Sequence, residues 1–134
     1  MNKYQKNYMD ALKELGYTPK FDSSEDIVFS DKKNNYYINM QDTEGFFHLV
    51  YPAFWPIKNV AEMNKALSAC NDINSTIKAV KVFVLNDDVF ITIESFYSSE
   101  SDFKFVIKNA LEMIEYAAIS CIKIMSEKKA VSGV

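Results

Sequence analysis

The sequence predicts a single-domain α+β fold: a helix, three strands, a second helix, two strands and a last helix, with a five-stranded antiparallel sheet packed against the helices. Three observations predict it. Residues 59–122 read as a capped amphipathic helix, a tight two-strand hairpin and a long helix apolar over most of its circumference. An N-terminal helix and three aromatic-rich strands precede them. No internal repeat or linker marks a second domain, and 134 residues fit one. A chain of this length buries roughly two-thirds of its unfolded surface, enough for a core without staples. The domain is expected over residues 1–126, with residues 127–134 as a flexible polar tail.

The first helix is legible from both ends. Asn2 can cap it, with Gln5 three residues on in a capping-box pattern. Gly16 stands where a left-handed terminating residue is wanted, and Pro19 blocks continuation. Tyr4, Tyr8, Ala11, Leu12 and Leu15 make one apolar stripe. Three strands then follow, at 27–29, 36–40 and 46–51. The turns between them are Asp31-Lys32-Lys33-Asn34 and Asp42-Thr43-Glu44-Gly45, where Asn and Gly supply positive φ. Tyr36, Ile38 and Met40 share the core face by alternation. Pro52 and Pro56 cannot donate to a ladder, so the end of the third strand should be an edge, a bulge or an exit loop.

Asn59 and Glu62 open the second helix, whose face reads Val60, Met63, Leu67, Cys70, Asn74 and Ile77, the Asn being the one polar intruder. The hairpin alternates Val80, Val82 and Val84 with Lys81, Phe83 and Leu85, turns at Asn86-Asp87-Asp88 and returns over 89–94. Both strands are apolar enough to lie centrally in the sheet. The last helix starts at Ser99 or Ser101. Its main stripe includes Phe103, Ile107, Leu111, Ile114, Ala118, Cys121 and Ile122. Phe105, Met113, Tyr116, Ile119 and Ile124 widen that stripe beyond the roughly 100° a surface helix needs. A dimer mate, the first helix or a partner should cover the excess.

Composition excludes several classes. Apolar residues at 49% and aromatics at 14% are too many for a disordered chain. Apolar runs fall well short of the ~18 residues that cross a bilayer, and the polar start Met1-Asn2-Lys3 has no signal-like run after it. A cytoplasmic location without membrane contact is expected. Net charge is −3, no Arg occurs, and Lys clusters near the ends. Nucleic-acid binders need a basic stripe and favour the arginine fork, so that role is not expected. Cys70 and Cys121 sit among apolar helix residues and read as small buried hydrophobes in a reducing compartment.

Chemistry is sparse. The single His48 lies mid-strand between Phe47 and Leu49, and no G-x-S-x-G context or phosphate-cradling glycine loop occurs. Zinc lacks ligand spacing, and Asp87-Asp88 reads as turn chemistry rather than a cation pair. No catalytic residue, cofactor or metal is expected. Trp55, on irregular backbone between prolines, is either a plug closing one end of the core or a semi-exposed partner anchor.

Residues 59–118 carry a family resemblance. Met63-Asn64-Lys65-Ala66-Leu67 with Asn71-Asp72-Ile73-Asn74, the strand Ala79-Val80-Lys81-Val82-Phe83-Val84 with Asp87-Asp88-Val89, and the helix at 103–115 resemble the YbjN family. That family comprises candidate bacterial sensory-transduction regulators sharing the fold of type III secretion chaperones. It has no established catalytic residues. The resemblance implies a homodimer that binds an unfolded segment of a client protein or peptide along apolar patches. Phe54, Trp55 and the outer face of the last helix, with Phe105, Tyr116 and Ile119, are then the contact residues. The competing expectation is a small-molecule sensor with a pocket between sheet and helices lined by Tyr36, Tyr51 and Phe90.

Overall fold

A computed structural model describes residues 1–41, 43–99 and 102–127. The expected tail beyond Glu127, Asp42 of the second turn and Ser101 as a helix start lie outside the described residues. The elements run α1 (Lys3–Glu14), β1 (Lys20–Phe21), β2 (Ile27–Asp31), β3 (Asn34–Ile38), β4 (Phe46–Pro56), α2 (Val60–Thr76), β5 (Val80–Leu85), β6 (Asp88–Phe96) and α3 (Phe103–Ser126). The sheet has six strands in the order β1-β2-β3-β4-β6-β5, all antiparallel. The extra strand, β1, is two residues long and pairs Lys20 with Val28 and Phe21 with Ile27. Two residues carry no readable alternation, which is why five strands were expected.

Each helix of the expected order forms, α1 and α2 for the reasons their ends give; α3 begins not at Ser99 but at Phe103, behind Asp102, whose side chain makes no capping hydrogen bond. Asn2 accepts the Gln5 N–H at 2.7 Å and donates its own N–H to Gln5 Oε1 at 3.0 Å, a complete capping box. At the other end Gly16 sits at φ +96°. Its N–H donates to Lys13 O and that of Tyr17 to Leu12 O, both at 3.0 Å, the Schellman arrangement that satisfies two orphan carbonyls. Asn59 caps α2 by accepting the Glu62 N–H at 2.8 Å.

Three expectations are corrected. The α2 face is rotated: Val60 and Leu67 are exposed at 77% and 52%, while Ala66, Ala69, Cys70 and Ile73 are buried. Small residues let α2 approach α3 closely, and the two large apolar side chains are left outside that contact. The strand β5 is not central but an edge, bonded only to β6. The first hairpin turn places Lys32 and Lys33, not Asn34, in left-handed backbone at φ 50° and 70°, because a two-residue loop of this twist needs positive φ at both central positions. Gly45 does take φ +94° in the second turn.

Pro52 falls where β4 breaks register, and Pro56 ends the strand beyond it, opposite Asp88. Tyr51 pairs with Ile91 and Trp55 with Val89, so three residues of β4 stand opposite Phe90 alone. That is a bulge, with Ala53 at φ 45° at its turn.

The core lies between one sheet face and the three helices. Phe47, Leu49, Ile38, Ile27, Ile91 and Val89 from the sheet are fully buried with Tyr8, Leu12, Ile107 and Ile114. Tyr8 stacks on Phe103 with ring centroids 4.1 Å apart and planes 2° from parallel, which ties α1 to the start of α3.

Candidate partner-binding surface

Because successive strand residues face opposite ways, burial of Phe47 and Leu49 sends Phe46, His48 and Val50 to the other side of the sheet. Every helix packs on the first side; the second side carries no helix, although Val50 and Thr92 at its centre are each only 2% exposed. Aromatic rings pair across it: Phe46 with Phe96 at 5.3 Å and Phe83 with Phe90 at 5.6 Å. Phe96 is 87% exposed. Between these pairs lies a polar cluster centred on Glu94. Its Oε1 accepts from Lys81 Nζ at 3.1 Å and Thr92 Oγ1 at 3.3 Å, and lies 3.4 Å from His48 Nε2. The carboxylate, not the imidazole, is the hub. A nucleophile relay needs the imidazole between hydroxyl and acid, and here the hydroxyl bonds the acid directly.

The helix side presents a second surface. On α3, Phe105 is 72%, Tyr116 62% and Ile119 59% exposed, while Ala110, Leu111, Ile114 and Ala117 face inward. The excess width of the α3 stripe is thus uncovered by α1, which packs only against one flank. Phe54 and Trp55 lie apart from this stripe, at the β4 bulge. Both are half-buried and pack against the core, with Phe54 stacked on Tyr51 at 4.9 Å. The Trp55 indole N–H is buried without an acceptor among the described residues.

The pocket expected from Tyr36, Tyr51 and Phe90 does not form. Tyr36 and Tyr51 meet on the helix side at 4.9 Å, whereas Phe90 points to the open face. Burial pushes the Tyr36 hydroxyl up to about 12. A cleft of about 680 Å³ lies instead beside β2, walled by Tyr17, Lys20, Phe29, Ser30, Asn35 and Tyr36, so Tyr36 alone of the three expected residues lines it. Ser30 donates to Asn35 at 2.6 Å there, so two of its polar groups already bond each other.

Both cysteines are buried and free. Burial raises the Cys70 thiol, and burial first and Cys70 second push Cys121 up to about 11, the opposite of what a reactive thiol needs. Among the described residues no group of His, Cys, Asp and Glu is arranged to hold a metal, and no helix is long and apolar enough to cross a membrane.

Sequence reasoning missed the open sheet face. The signal was present in the alternation of β6, where Phe90, Thr92, Glu94 and Phe96 share one side.

No protein-family model matches the sequence, and no curated protein matches it. Among solved structures, the fold is similar to the crystal structure of YbjN from E. coli, described as a candidate transcription regulator. The TM-score is 0.64 at 13% identity, over 88% of this chain and 90% of that one. Identity that low speaks for architecture alone, and the order of elements, the single antiparallel sheet and the one-sided helix layer give the chain a YbjN-like fold.

Proposed function

We propose that the protein is a non-enzymatic protein- or peptide-binding module, regulatory or chaperone-like in kind. One observation carries this reading: large apolar side chains, Phe105, Tyr116 and Ile119, are held in solvent on a long helix whose opposite faces are locked into the core. Apolar area on a rigid element is costly to leave exposed and is what an interface uses. Phe54 and Trp55 form a second contact region at the bulge. The partner is a protein or peptide, recognised by apolar burial rather than by charge.

Native mass spectrometry of the protein, gently purified from its own host, tests this. The expected result is a second polypeptide at fixed stoichiometry, lost from a Phe105→Ser variant that keeps its circular dichroism spectrum. A retained small molecule with no polypeptide would overturn the reading in favour of a sensor using the cleft at β2.

A further inference from the structure

Cys70 on α2 and Cys121 on α3 are the only cysteines of the chain, and the fold brings them from distant parts of the sequence to one seam. The two helices run antiparallel there. Lys65, near the start of α2, donates to the Glu127 carbonyl at the end of α3. Ile73 and Ile77, further along α2, line a groove of about 540 Å³ with Met113, Tyr116 and Ser120, which lie further back on α3. Cys70 stands five residues past Lys65 and Cys121 six before Glu127, so the two lie within one helical rise, about 1.5 Å, of the same level.

Small neighbours surround both. Cys70 belongs to the buried run Ala66, Ala69, Cys70 and Ile73, and Cys121 to the buried run Ala117, Ala118 and Cys121. Alanines on both helices bring the axes toward the lower end of the usual separation, roughly 8–10 Å. With Cα atoms on cylinders of about 2.3 Å radius, facing Cα atoms then come within about 4–5 Å. A disulfide takes Cα separations of roughly 4.4–6.8 Å, so the span is within its reach. The sulfurs also sense one another: after burial, it is the Cys70 thiol that raises Cys121.

We propose that Cys70 and Cys121 are a site of reversible oxidation that closes into a disulfide and ties α2 to α3. The co-reactant is a small-molecule disulfide. Cys70, 7% exposed against 0% for Cys121, is the point of entry. Its thiolate displaces one sulfur of the reagent, forming a mixed disulfide and releasing one small thiol. The Cys121 thiolate then attacks Cys70 Sγ and releases the second. Two protein thiols are oxidised, one reagent disulfide is reduced to two thiols, and the two protons the protein loses end on those thiols. The apolar surroundings that disfavour thiolates make each attack slow, but they favour the uncharged product. Closure thus answers sustained oxidation rather than a brief pulse. The same stretch of both helices walls the groove beside Tyr116, so the closed pair fixes the distance between those walls. Only this last consequence touches the surface proposed for partner binding.

The reduced full chain, incubated with excess oxidised glutathione and then quenched with acid, provides the test. The expected product is a single chain lighter by two hydrogens, whose tryptic peptides 66–78 and 109–123 travel as one until reduced. Its melting temperature should exceed that of the reduced protein by roughly 5–15 °C, a gain reversed by dithiothreitol and absent from Cys70→Ala and Cys121→Ala. Cys121→Ala should instead hold one glutathione at Cys70, because the resolving thiol is gone. Circular dichroism before and after treatment shows that the reaction takes place on folded protein, and the wild-type mass decides the matter should a variant misfold. Two thiols still open to alkylation after unfolding, a wild-type mixed disulfide that never resolves, or cross-linked chains in place of the internal bond would each overturn the proposal. The capture of a second polypeptide and its loss on Phe105→Ser are read separately, so this site can fail while the binding-module reading stands.

Discussion

Lys32 and Lys33 occupy backbone that disfavours any side chain, at φ 50° and 70°, and only the Lys32 amine gains a contact, to Glu115 at 3.0 Å. Lys33→Gly should therefore raise stability by about 0.5–1 kcal/mol, the left-handed strain relieved exceeding the added entropy of the unfolded chain. An upward shift in urea midpoint at unchanged slope checks it, and a downward shift would show that the Lys33 side chain contributes more than its strain costs. Trp55 is the other residue whose local cost is visible. Its buried N–H lacks an acceptor among the described residues, a penalty of about 1–3 kcal/mol. Trp55→Phe removes that donor while keeping most of the ring, so stability should stay within about 1 kcal/mol of wild type. The sequence exposed Trp55 as unusual through its flanking prolines, but whether it closes the core or faces a partner depends on the bulge at Pro52, Ala53 and Phe54, which no local pattern encodes.

The polar intruder of α2 explains itself at the level of elements. Asn74 Oδ1 accepts the Val82 N–H at 2.8 Å and its Nδ2 donates to Val82 O at 2.9 Å. The side-chain amide thus takes the place of a neighbouring strand on the outer edge of β5. Exposed edges invite pairing with other chains, and a helix side chain clamped on the edge blocks that. Asn74→Ala should cost about 1–3 kcal/mol by orphaning both backbone groups. Hydrogen exchange at the Val82 amide should accelerate at least tenfold in the folded protein; unchanged exchange would show that the clamp contributes nothing. The Asn was legible as an anomaly on an apolar face, but its partner was not, because β5 had been placed centrally. The rotation of α2 was hidden for a related reason: periodicity weights large residues, whereas a close helix contact selects Ala66 and Ala69. Ala69→Leu should accordingly destabilise by about 1–3 kcal/mol through overpacking, against less than about 0.5 kcal/mol for Leu67→Ser on the exposed side, compared by thermal melts.

For the whole molecule, the order of helices and of five strands was readable from changes in apolar period, and the capped ends of α1 and α2 from their Asn residues. The layering was not. Both faces of β4 and β6 carry apolar residues, so alternation alone could not say that helices cover only one of them. What the covered side does contain is an unusual load of tyrosine. Tyr8 is fully buried and Tyr36 is 3% exposed. Burial foremost, then the neighbouring Tyr4 and Tyr97, hold the Tyr8 hydroxyl far above its ordinary range, and burial pushes Tyr36 up to about 12. In the unfolded chain both ionise near pH 10. Below that pH both states keep their protons and the stabilisation is complete. Between about pH 10 and 12 the unfolded state loses protons that the folded state retains, so stability falls as pH rises, by up to about 1.4 kcal/mol per unit for each tyrosine. The two raised thiols act in the same direction, beginning near the ordinary thiol value of about 9. The melting temperature should thus begin to drop near pH 9 and fall steeply between about pH 10 and pH 12. A Tyr8→Phe, Tyr36→Phe double variant keeps both rings, including the stack on Phe103, and should drop markedly less over that interval. An equally steep fall in the double variant would mean that groups other than these two hydroxyls control alkaline unfolding.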